Sequence, residues 1–170
     1  MKERLWTIRH AQPSDIDALG GIEVAAAQVF QSLETLSWLA QGEPMPRDRQ
    51  RQLIEAETVF VATDTHDQPV GFLSAEVIDD RLHIVEVSVL PEWQRMGIGR
   101  ALIDVAREEA IRLHLHALTL TTFRHVAWNA PFYAELGFEE AHDAALQQHL
   151  EADAQNGLPV KERCAMAMVL

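Results

Sequence analysis

Residues 85–102 read Val85-Glu86-Val87-Ser88-Val89-Leu90-Pro91-Glu92-Trp93-Gln94-Arg95-Met96-Gly97-Ile98-Gly99-Arg100-Ala101-Leu102. An apolar run ends at Pro91, a short charged loop carries two glycines one residue apart, and an amphipathic helix follows at once. Gly97 and Gly99 let the backbone turn tightly and approach a ligand with no side chain in the way. The new helix presents unpaired N–H groups and the positive end of its dipole above that turn. Together these make a cradle for phosphate-like anions, and Arg95 and Arg100 add charge beside it.

The spacing discriminates among anion-binding loops. A P-loop needs GxxxxGK[ST], and no Lys-Ser or Lys-Thr pair occurs in this chain. A dinucleotide fingerprint needs a sixth-position glycine, but Leu102 stands there, and no acidic ribose partner follows at the usual distance. Gln94-Arg95-Met96-Gly97-Ile98-Gly99 instead resembles the pyrophosphate loop of the GCN5-related N-acetyltransferase (GNAT) superfamily, Gln/Arg-x-x-Gly-x-Gly/Ala, with that family's Val-x-Pro lead-in at Val89-Leu90-Pro91.

Bulk properties fit one soluble domain over residues 1–170, long enough to bury a core without disulfide staples. No stretch approaches the ~20 apolar residues of a membrane span, and the charged start, Met-Lys-Glu-Arg, is unlike a signal peptide. A single cysteine, Cys164, excludes an intrachain disulfide and a Cys-based zinc site, which points to the cytoplasm. A net charge of −12 argues against a nucleic-acid partner and repels an anionic cofactor at long range. The cradle must therefore be a local exception, helped by Arg95, Arg100, Arg107 and Arg112. His114-x-His116 falls at a helix C-terminus with no third ligand at metal spacing, so no metal is expected. His10, His66, His142 and His149 read as surface residues, and His125 could line an acceptor cleft.

Periodicity predicts a strand over Leu5–Arg9, a helix from Pro13-Ser14-Asp15 with Ile16, Leu19, Ile22, Val24 and Val29 as its apolar positions, and a second helical segment in 32–57 interrupted by Pro44 and Pro46. Strands follow at Thr58–Thr63 and, as a hairpin across Asp79-Asp80, at Val70–Ile78 and Leu82–Leu90. Next come a helix over Ile98–Leu113, a strand over Ala117–Phe123, a short helix over Asn129–Leu136 closed by Gly137, a strand over Phe138–Ala141, a polar helix near Ala144–Ala154 and a last strand over Val160–Leu170. The fold class is α+β, a mixed, mostly antiparallel sheet of about six to seven strands flanked by helices on both faces. The acetyltransferase fold has the same order.

A second stretch, Tyr133-Ala134-Glu135-Leu136-Gly137-Phe138, is similar to the family's Tyr-x-x-x-Gly-Phe. The resemblance implies that Tyr133 lies beside the cofactor sulfur and returns a proton to the departing thiolate, which a phenol of pKa ~10 can do. It implies that Val87, Ser88 and Val89 align the pantetheine arm through their backbone, and that Gln94, Arg95, Met96, Gly97, Ile98, Gly99 and Arg100 hold the pyrophosphate. Many members carry an Asn seven residues before that Tyr, where this chain has Val126. Asn129 stands four before it, followed by Ala130-Pro131, and suits a helix N-cap or a contact to the pantetheine arm.

An amine nucleophile must lose a proton to a base in reach or along a water chain leading to one, and two residues on opposite faces of one strand could accept it. Glu86 shares an otherwise apolar face with Leu82, Ile84 and Ser88; read otherwise, it is a satisfied structural carboxylate. His83 has the better intrinsic pKa; read otherwise, it is an exposed, inert residue near the hairpin end. Cys164 reads as a small core residue, and Arg47, Arg49 and Arg51 as a solvated face.

The resemblance thus implies an N-acetyltransferase that passes the acetyl group of acetyl-CoA to a primary amine of a small molecule, by direct attack in a ternary complex. Residues 24–57 and 139–159 would wall the acceptor side. A protein or peptide acetyltransferase acting on a Lys or an N-terminus, and a non-catalytic CoA-binding module, are the alternatives. The fold also admits a homodimer through the last strand.

Overall fold

The computed structural model describes residues 3–170; Met1 and Lys2, part of the charged start, lie outside the described residues. Seven strands are hydrogen-bonded in the order β1-β2-β3-β4-β5-β7-β6. They are β1 (Thr7–His10), β2 (Val59–Thr63), β3 (Pro69–Ile78), β4 (Arg81–Val89), β5 (Ala117–Phe123), β6 (Glu139–Glu140) and β7 (Arg163–Val169). The helices are α1 (Ile16–Ala27), α2 (Arg47–Glu55), α3 (Ile98–Arg112), α4 (Ala130–Glu135) and α5 (Ala144–Gln155). This is the expected α+β class. Pairing is antiparallel in β1–β2, β2–β3, β5–β7 and β6–β7, and parallel in β4–β5. The chain divides into two compact units, one formed by residues up to Glu76 with Glu86–Ala106, the other by Val77–Val85 with Arg107–Leu170.

The first unit packs one face of α1 onto its strands. Ile16, Leu19 and Ile22 of α1 join Leu53, Ile54, Val59, Val61 and Phe72 in one buried cluster. Val24, expected with them, is exposed, and Val29 lies past the helix end in a 3-10 turn. The entry to α1 is held by a buried carboxylate. Asp15 accepts two hydrogen bonds from Arg9, at 2.8 and 3.1 Å, and one from the Gln12 N–H at 2.7 Å. Burial alone would raise its pKa, but the Arg9 and Gln12 bonds outweigh it and hold Asp15 below the usual carboxylate range.

The expected second helix over 32–57 shrinks to α2, because Pro46 sits at its N-cap and cannot continue a helix backwards. Residues 28–32 and 37–41 form only 3-10 turns. The ends of β4 and α3 meet β3 at Gly71. A Cβ there would stand 3.2 Å from Ser88 O and Ile98 Cγ2 and 3.3 Å from Val89 Cγ2, so hydrogen alone fits without displacing neighbours.

In the second unit β5 and β7 pair in full register from Ala117↔Val169 to Phe123↔Arg163. The turn between β3 and β4 puts Asp79 at φ 53°, a left-handed conformation that aspartate tolerates in tight hairpins. Helix α5 starts where Asp143 accepts the Leu146 N–H at 2.9 Å. Leu146 is fully buried, and Asp153 takes hydrogen bonds from Thr121 and Arg163 at 2.8 and 3.0 Å. Val160–Glu162, expected as strand, is a 3-10 turn. The last strand is no sheet edge, since β5 and β6 lie on either side of it.

Because the Ser88 carbonyl is fixed backbone, Gly71→Val should cost about 1–3 kcal/mol. Urea denaturation at neutral pH reads this directly.

Candidate functional site

The first unit carries the loop singled out in the sequence. After β4, Pro91–Trp93 makes a 3-10 turn, and Gln94 Nε2 donates back to Val89 O at 3.1 Å. Arg95 at φ 62° and Gly97 at φ 82° then fold the backbone through left-handed conformations, a concave run suited to anions. A Cβ at Gly97 would meet nothing within 4 Å, so φ rather than space calls for glycine there. The Ala101 N–H donates to Gly97 O at 3.0 Å, leaving Ile98, Gly99 and Arg100 in the helix's first turn ahead of the α-helical ladder. Gln94–Gly97 and Arg100 are exposed while Ile98 is buried, which anchors the loop and leaves its polar side open.

Strand β4 pairs in parallel with β5 from Arg81↔Ala117 to His83↔Thr119, and β4 extends to Val89. In that extension Ser88 turns its hydroxyl inward to donate to Glu86 Oε1 at 2.8 Å. Leu82, Ile84 and Ser88 are buried as their shared face predicts, and Glu86 is half-buried. Glu86 is hydrogen-bonded to Glu23, a residue that sequence reading passed over. Glu23 accepts the Met45 N–H at 2.7 Å, and burial pushes its pKa above the usual range. It lines a cleft of about 440 Å³ shared with Asp17, Val24, Met45 and Arg47. The available signal was a lone charge in the apolar run Ala18–Ala27.

The second unit holds His83 and Tyr133. His83 is buried, not exposed near the hairpin end: Nδ1 is hydrogen-bonded to Thr119 Oγ1 at 2.9 Å, and the ring stacks on His149 at 3.8 Å and 3°. His149 is accordingly half-buried, not the surface residue expected. Burial first, then the nearby His149 and Arg81, push His83 down to about 3. Such an imidazole stays neutral and is a poor proton acceptor near neutrality. Tyr133 is buried at 9 % exposure and packs edge-on against Phe132 and Phe138. Gly137 at φ 107° closes α4. Asn129 occupies the α4 N-cap position but makes no side-chain cap; its buried Oδ1 has no hydrogen-bond partner.

The acetyltransferase (GNAT) family model matches residues 27–138, a span that includes both sequence motifs, Gln94–Gly99 and Tyr133–Phe138. The chain belongs to the GNAT acetyltransferase family. It is an acyl-CoA-dependent N-acetyltransferase with acetyl-CoA as co-substrate.

Solved structures share its fold. PaiA N-acetyltransferase from Thermoplasma acidophilum, in complex with coenzyme A, is 15% identical with a TM-score of 0.72, covering 98% of this chain and 100% of that one. The ribosomal-protein-S18-alanine N-acetyltransferase from Escherichia coli is 22% identical with a TM-score of 0.69, covering 97% and 94%. N-acetylglutamate synthase from Neisseria gonorrhoeae, complexed with coenzyme A and N-acetyl-glutamate, is 18% identical with a TM-score of 0.71, covering 99% of this chain and 36% of that one. One of these names a protein substrate and another a small amino acid product.

Other side chains of this GNAT chain have structural settings. Cys164 is buried, and burial raises its thiol pKa. Arg47, Arg49 and Arg51 pair with Asp17, Glu76 and Asp48, and Arg47 also borders the cleft. Among the described residues, no group of three or more His, Cys, Asp or Glu is placed to hold a metal ion, and no helix is long and apolar enough to cross a membrane.

Buried His83 makes stability pH-dependent. Below about 6.5 the unfolded chain takes up a proton that the folded chain refuses until about 3, so stability falls as pH drops through that window. Between pH 7 and pH 5 this one group should remove about 2 kcal/mol. Urea denaturation of the native chain and His83→Gln at both pH values should show the difference shrinking by that amount in the variant.

Proposed function

We propose that this chain, as a single cytoplasmic acetyltransferase domain, acetylates a primary amine of a small molecule in a ternary complex. The observation that carries the acceptor class is the cleft beside α1. Its volume of about 440 Å³ is in the range of small-ligand sites. Of its charged residues, Asp17 and Arg47 pair with each other and leave Glu23 to face a cationic amine.

On this reading the turn from Gln94 to Arg100, with Arg95 and Arg100, receives the pyrophosphate of acetyl-CoA. The backbone of Val87, Ser88 and Val89 aligns the pantetheine and polarises the thioester carbonyl. The orphaned Asn129 Oδ1 accepts an N–H of the same arm, a role its missing cap bond leaves open. Glu86 takes the amine proton; His83, held neutral and committed to Thr119 and His149, does not. Tyr133 protonates the departing thiolate.

The test is CoA release from acetyl-CoA with n-butylamine, free alanine, a peptide with a free N-terminus and a blocked peptide containing lysine, with products followed by mass. The expected result is turnover with n-butylamine or alanine, and a fall in kcat of about 100-fold or more in Tyr133→Phe. Turnover with peptides alone would replace the small-molecule reading by a protein acetyltransferase. Binding of acetyl-CoA with no productive acceptor would favour a CoA-binding module.

A further inference from the structure

Gln50 occupies a core position, yet its amide is only half satisfied. On α2 it precedes Leu53 and Ile54 by three and four residues, so the three share one helix face, and both neighbours belong to the buried cluster of the first unit. Only 4 % of Gln50 is exposed. Its Oε1 accepts the hydroxyl of Ser74, a fully buried residue of β3, at 2.8 Å. A side-chain amide carries two N–H donors besides that oxygen. Among the described residues Nε2 makes no hydrogen bond, and it is not one of the buried atoms sealed away without a partner. The space that Gln50 borders is the cleft of about 440 Å³ beside α1. Idle donors on a buried amide cost stability unless water or a ligand takes them.

Both ends of the Ser74 bond are held by backbone. Ser74 stands opposite Val59 in the β2–β3 ladder, and Gln50 N–H donates to Pro46 O at 3.0 Å. The amide is therefore oriented before any ligand arrives. The charges around it are largely balanced. Asp17 and Arg47, which also line the cleft, pair with each other, and Arg49 and Arg51 pair with Glu76 and Asp48. Glu23 is the remaining charged residue of the lining. A ligand carboxylate would meet its repulsion, whereas a neutral oxygen would not.

We propose that Gln50 selects the acceptor: the small molecule acetylated by this chain is a primary amine that also carries an uncharged carbonyl or amide oxygen. Nε2 donates to that oxygen, and Ser74 is the positioning residue that holds the amide for it. The proposal rests on the reading that the cleft beside α1 receives the amine.

Two measurements on the full-length protein test this. The first compares kcat/KM for 4-aminobutanamide, 4-aminobutanoate and n-butylamine, whose amines are of similar basicity, with alaninamide as a shorter amide. At least one amide should exceed both the carboxylate and n-butylamine by about tenfold. Gln50→Glu keeps an oxygen for Ser74 but removes the donor, and Gln50→Leu combined with Ser74→Ala removes both partners together. Each should bring the amide-to-butylamine ratio close to one. A native ratio near one for both amides would overturn the proposal. So would an equal fall for every amine in the variants, which would assign Gln50 a purely structural role.

The second measurement does not need turnover. In nitrogen-15 NMR spectra with CoA bound, the Gln50 side-chain amide, assigned by its loss in Gln50→Glu, should shift on adding 4-aminobutanamide or alaninamide and stay in place with n-butylamine. An unmoved Gln50 amide would overturn the proposal. If the native chain transfers acetyl to none of these amines, the acetylation reading fails for small amines, while the spectra still decide whether Gln50 receives an oxygen.

Discussion

The first unit depends on how β4 is closed onto β3. Leu90 N–H donates to Val70 O at 2.9 Å, and the bare Cα of Gly71 lets Ser88, Val89 and Ile98 approach. This contact fixes where β4 stops, and therefore where the turn through Arg95 and Gly97 starts and which way α3 points its first N–H groups. The proposed anion cradle is thus a product of backbone geometry. Its side chains add charge, but the donors are set by hydrogen bonds and left-handed φ values that would exist without them.

The same strand also places two ionisable groups. Alternation along β4 sends Leu82, Ile84 and Ser88 inward, and Glu86 follows them halfway, where it reaches Glu23 of α1. His83, on the opposite face, meets the elements of the second unit, Thr119 of β5 and His149 of α5. One strand therefore supplies two ionisable groups with opposite fates. The carboxylate stays half-buried and accepts a hydrogen bond from Ser88, and the imidazole is desolvated into a neutral stacking ring.

Much of this was legible in the sequence where the signal is local. The loop 94–99 encodes its own conformation through Gly97, and β5 falls on the residues alternation indicates because its register with β7 is unbroken. Helix α3 was also legible, ending at Arg112, one residue short of the span the spacing indicates. The misses are long-range. His83 looks exposed until α5, more than sixty residues later, lays His149 on it. Glu23 looks like a stray charge on α1 until Met45 and Glu86 meet it. Asn129 has the spacing of a helix cap, yet its side-chain oxygen turns away from the α4 N–H groups and remains unpaired, which spacing cannot reveal.

The most direct test of the backbone cradle is amide hydrogen exchange with and without CoA. The exposed Gln94–Gly97 loop should exchange quickly in the free protein. Binding should slow the amides of Met96–Arg100 and of Val87 and Val89. If CoA binds and those amides exchange unchanged while protection appears elsewhere, the cofactor is held by another surface and the cradle is only a turn.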